Sequence, residues 1–94
     1  MSKRDAYIAK IKLQLDELNA KMKQLEAKAH EVKADAQNQY QQEMKLLRRQ
    51  SKLAAAKLEE LKAAGEATWE TMVAEMEKVS DAFTHSFHYF RSQL

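Results

Sequence analysis

The sequence predicts an all-α protein built as a coiled coil, and three observations carry that expectation. Ala, Glu, Lys, Leu and Gln dominate its 94 residues, with one glycine and no proline, which is the composition of a long helix or coiled coil. Apolar residues recur at spacings of three and four along most of the chain, the period of a helical seam. A chain this short and polar cannot wrap a large core around itself, so its apolar stripes require partners. The expected organisation is one domain, 1–94. A long helix (about 3–63) is followed by a shorter C-terminal helix (about 68–92) folded back as an antiparallel helical hairpin. Residues 3–36 form a heptad self-association segment, and residues 40–94 form the hairpin, with its corner near Gly65.

The long helix starts at about Lys3. Ser2 and Asp5 fit S-x-x-D, a capping pattern whose oxygens satisfy orphan backbone N–H groups. The acid also suits the positive end of the helix dipole. A heptad stripe follows: Ile8, Ile11, Leu15, Leu18, Met22, Leu25, Ala29, Val32 and Ala36. Its spacings alternate without error, as in a coiled-coil seam. Between Ala36, Tyr40 and Met44 the spacing becomes four and four, a stutter that locally unwinds a supercoil. The surrounding "QNQYQQE" holds no helix breaker, so it reads as a change of partner or geometry within one helix.

A second stripe runs Tyr40, Met44, Leu47, Ser51, Ala54, Leu58, Leu61. A third runs Trp69, Met72, Met76, Val79, Phe83, Phe87, Phe90, Leu94. Two arrangements connect them. In a continuous rod the spacing carries across Gly65, whose cost of about 1 kcal/mol relative to Ala a seam can offset. In a corner, Gly65 is a left-handed C′ residue and Thr68 an N-cap. Charge and size favour the corner. Lys45, Arg48, Arg49, Lys52 and Lys57 lie together without an acid, while residues 58–81 are net acidic. Folding at Gly65 sets Arg49 opposite Asp81 and Lys52 near Glu77. It also sets Leu61 by Trp69, Leu58 by Met72, Leu47 by Phe83, Met44 by Phe87 and Tyr40 by Phe90, with small Ser51 and Ala54 facing Val79 and Met76. The long helix would then span about 90 Å, with the stripe from Ile8 to Ala36 bare. A bare Ile/Leu seam calls for association, hence a homodimer or a tetramer.

Sixteen basic against fourteen acidic side chains give a net charge of +2, too balanced to indicate nucleic acid. The absence of cysteine excludes disulfide and thiolate chemistry. The N-terminus "MSKRDAYIAK" has no apolar signal-like run, and no stretch approaches the roughly 18 apolar residues of a membrane span, so a cytoplasmic protein is expected. No nucleophile motif or phosphate loop is present, no cofactor is expected, and the carboxylates interleave with lysines as on a solvated face. His85 and His88, at i,i+3 in "FTHSFHYF", are weak candidate metal ligands; covering the edge of the phenylalanine stripe is the plainer role. "KLLRRQSK" (45–52) could meet phosphate, or serve as partner of the acidic arm. The aromatic end Phe83, Phe87, Tyr89, Phe90 could enter a membrane interface, or pack on Tyr40, Met44 and Leu47.

Two runs carry a resemblance. Asp16, Glu17, Leu25, Glu26, Ala27, Lys28 and Ala29 match a D-E-x-x-A-x-x-x-x-L-E-A-K-A-like run. Gly65, Ala67, Trp69 and Glu70 match a Gly-containing segment before an A-W-E-like helix start, with Thr68 inserted. On these the chain resembles a family of small, roughly hundred-residue bacterial coiled-coil proteins, some linked to stress responses. The resemblance implies a non-enzymatic role. The aromatic, histidine-containing tail departs from the lysine-rich tail of that family, so no tail function carries over. The expected function is therefore a non-enzymatic oligomeric coiled-coil structural or interaction protein. The alternative is an amphipathic membrane- or lipid-surface binder. The partners are a second copy or an unidentified protein, with a membrane surface as the rival.

Overall fold

Helix-forming residues dominate the chain, and helices dominate the structure. The structure, a computed structural model, describes residues 2–31 and 34–93. Three helices follow in order: α1 (Lys3–Ala29), α2 (Ala34–Ala63) and α3 (Trp69–Gln93). Ser2 caps α1 with extended backbone, its Oγ accepting from the Asp5 N–H at 3.1 Å.

The single long helix over 3–63 is not what forms. α1 stops at Ala29: the His30 N–H still donates to Glu26 O at 3.3 Å in the α-helical pattern, but the Glu31 N–H donates to Lys28 O at 3.0 Å, one residue short of it, as in a 3₁₀ turn. The chain then turns back, and its greatest extent is 51 Å rather than about 90 Å. Burial explains the break. Folding α1 against α2 and α3 leaves Ile11, Leu15 and Leu25 each 5% exposed, and Met22 and Ala29 each 8%. Each large apolar side chain so buried contributes about 1.5–3 kcal/mol, more than the few helical hydrogen bonds given up. The stripe expected to lie bare is thus covered within the chain, with Ile8 and Leu18 half-buried at its edge. Val32 and Leu94, also assigned to apolar stripes, lie outside the described residues.

The densest core lies between α2 and α3. Leu47, Ala54, Leu61, Met76, Phe83 and Phe90 are at most 1% exposed, and Met44, Leu58 and Phe87 nearly as closed. Tyr40, Trp69, Met72 and Val79 pack against this core half-buried. At one end the Tyr40 and Phe90 rings meet edge to face at 5.5 Å, and the Tyr40 hydroxyl donates to Gln93 O at 2.9 Å. Further along, Lys57 Nζ meets Glu75 Oε2 at 3.1 Å.

Residues 64–68 connect α2 to α3, but not with the expected chemistry. Gly65 has no positive φ, so it is not a left-handed cap. Thr68 begins α3 with its backbone, its carbonyl accepting from the Met72 N–H at 3.0 Å. Its hydroxyl instead donates back to Gly65 O at 3.3 Å. A Cβ on Gly65 would meet nothing within 4 Å. Gly65→Ala should therefore be stabilising by about 0.4–1 kcal/mol, through loss of unfolded-chain entropy. Urea titration checks this; a lower midpoint would contradict the observed backbone.

Candidate interaction surface

The convergent side chains gather in two places. The first lies where α1 meets the 64–68 connection. Arg4 donates to Ala64 O at 2.5 Å, and its guanidinium stacks 4.5 Å from the Trp69 ring. Tyr7 meets the same indole edge-on at 5.9 Å and reaches Glu77 with its hydroxyl at 3.5 Å. Arg4, Tyr7 and Trp69 thus clasp the start of α1 to the start of α3, and nothing in the cluster forms a cleft for a substrate.

Burial, then the Glu77 carboxylate, raises the Tyr7 pKa above its ordinary value of 10.0. The phenol stays protonated longer folded than unfolded, so this contribution is complete below the unfolded value and is lost as pH rises through the folded one. Stability should fall from about pH 10 upward, and Tyr7→Phe should make that fall shallower in urea melts taken across the range.

The second place is the outer flank of α2. The inner stripe of α2 packs on α1 and α3. One residue before it runs another stripe with the same spacings: Glu43, Leu46, Gln50, Leu53, Lys57. Leu46 is 40% exposed and Leu53 49%; the other large apolar side chains left open among the described residues are Leu13 on α1 and Tyr89 on α3. Between the two leucines the Gln50 Oε1 is buried without a hydrogen-bond partner among the described residues. Lys57 bridges Glu60 and Glu75, each at 3.1 Å, and hydrogen bonds to Glu75 and then Glu60 raise its pKa. Glu43 has no ion pair among the described residues.

The residues singled out from sequence fall elsewhere. Arg48 pairs with Glu26 of α1. Ser51, assigned to the α2–α3 seam, has its Oγ 2.5 Å from Asn19 Oδ1 of α1. Arg49 is not paired with Asp81, nor Lys52 with Glu77; Glu77 instead faces the Tyr7 hydroxyl. The two cations project from α2 on another side from the one that meets α3. His85 and His88 are exposed. No group of three or more His, Cys, Asp or Glu capable of holding a metal occurs among the described residues. Phe83, Phe87 and Phe90, candidates for membrane insertion, are at most 2% exposed. No described helix is long and apolar enough to cross a membrane. A crevice of about 370 Å³ between α1 and α3 carries Lys21, Lys28 and Arg91; Leu25 and Phe87, which also line it, are 5% and 2% exposed.

The outer stripe of α2 is faint in the sequence because its centre is a glutamine and its ends are charged. Its signal was the repeated four-three spacing one position ahead of the stronger stripe. Compared with protein-family models, curated proteins and solved structures, the chain matches none.

Proposed function

We propose that this chain is a non-enzymatic structural or interaction protein that associates with copies of itself, with an antiparallel α2–α3 hairpin as its body. The Tyr40–Phe90 and Lys57–Glu75 contacts support the hairpin. The observation that carries the functional reading is the open pair Leu46 and Leu53 on the outer flank of α2. In a chain with 32% charged residues, an exposed leucine pair one helical heptad apart is a surface that gains by being covered. Self-association thus uses α2, and the stripe through Ile8–Ala29 serves the chain's own core. A bacterial cytoplasmic setting and a stress association belong to this proposal only through the resemblance of residues 16–29 and 65–70.

Sedimentation equilibrium without lipid or metal tests it. A mass above the monomer that rises with concentration, and returns to monomer in Leu46→Glu/Leu53→Glu with helicity unchanged, is expected. A monomer at every concentration would overturn the reading and send the α2 flank to a vesicle co-sedimentation assay.

A further inference from the structure

We infer that the partner of the outer α2 stripe is the same stripe of a second copy, paired antiparallel about a two-fold axis at Gln50. This rests on the self-association reading and specifies its geometry. An isologous contact requires a self-complementary surface, in which residue i meets residue j and j meets i. Read from Gln50 outward, the stripe has Leu46 on one side and Leu53 on the other, then Glu43 on one side and Lys57 on the other. Antiparallel apposition therefore sets Leu46 against Leu53 and Glu43 against Lys57, each twice by symmetry. A parallel pairing would set Glu43 against Glu43 and Lys57 against Lys57, which like charges oppose.

The charges and polar groups fit this arrangement. Glu43 has no ion-pair partner among the described residues, whereas Lys57 holds Glu60 and Glu75 and has a third ammonium proton to give. Gln50 lies half-buried at the centre, between the two leucines. A polar residue between two leucines can fix register. Arg49 borders the dyad from the solvent side and keeps its head in water. By the Tyr40–Phe90 and Lys57–Glu75 register, the exposed Tyr89 lies level with the Glu43 end, where the second copy brings Lys57.

Cysteine cross-linking tests the geometry cleanly, because the chain has no cysteine of its own. Gln50→Cys should cross-link to itself under mild oxidation or with a short bismaleimide. Leu46→Cys and Leu53→Cys should cross-link when mixed but not alone, since each lies about 10 Å along the axis from its own copy. Leu13→Cys, exposed on α1, is the background control. Glu43→Lys should weaken the dimer about tenfold, the swapped pair counting twice, and equimolar mixing with Lys57→Glu should restore it. Helicity of each variant is checked by circular dichroism. If the wild type dimerises but Leu46→Cys cross-links to itself, or Gln50→Cys does no better than Leu13→Cys, this geometry is overturned and self-association stands. If the wild type is a monomer throughout, both readings fall.

Discussion

Phe83→Ala should destabilise the protein by about 3–5 kcal/mol, the largest effect expected of any truncation in the chain. Phe83 is fully buried in the core cluster that the three helices share. Removing its ring takes away the transfer energy and leaves a cavity that two stiff helices close only in part. Domains of this size are stable by only about 5–15 kcal/mol. The melting temperature should therefore fall by at least about 12 °C. Tyr89→Ala, six residues on but 54% exposed, should change monomer stability by no more than about 0.5 kcal/mol. Thermal melts of both variants, followed by far-ultraviolet circular dichroism, make the comparison. Equal losses would mean that α3 presents a different face to the core.

Leu15→Asp should separate α1 from the rest of the molecule. Leu15 is 5% exposed in the middle of α1. A carboxylate there forfeits the burial energy and is costly to desolvate as well. A helix that loses its packing face is marginal in water, so α1 should melt while α2 and α3 keep their own core. Helical ellipticity should then drop by about a third, the share that α1 holds of the helical residues. Trp69 reports the same event. It would lose the Arg4 guanidinium and the Tyr7 ring, and its emission should move to the red. A Leu15→Asp protein with wild-type ellipticity and emission would mean that α1 does not pack on α2 and α3.

How far the sequence discloses this molecule can be followed residue by residue. The helical class is legible from composition and from the four-three spacing, because both measure the same local energetics that form a helix. The start of α1 is legible because Ser2 acts within three residues of itself. The turn after Ala29 is not. Residues 30–33 contain neither glycine nor proline, and the stripe continues through Ala29, Val32 and Ala36 without a phase error. A heptad stripe is satisfied equally by a second chain and by the chain's own other helices; the choice is made by long-range burial, which spacing does not record. Gly65 marks the α2–α3 connection, but its φ is negative, so its identity reveals where the helix ends and not how. At the surface, the weaker outer stripe of α2 was hidden by the stronger inner one. Its residues are ordinary by type, and only their symmetry about Gln50 sets them apart.

The fold-back of α1 is the premise of the whole account, since it turns the Ile8–Ala29 stripe inward and leaves Leu46 and Leu53 exposed on the outer flank of α2. Nuclear Overhauser contacts between the Tyr7 ring and the single Trp69 indole test it most directly. They should be recorded at a concentration where the protein is monomeric, with an isotope-mixed sample to exclude contacts between copies. The account predicts strong intramolecular cross-peaks between the two rings, whose centroids lie 5.9 Å apart. In a continuous helix the same residues would lie about 90 Å apart, and absence of those cross-peaks would contradict it.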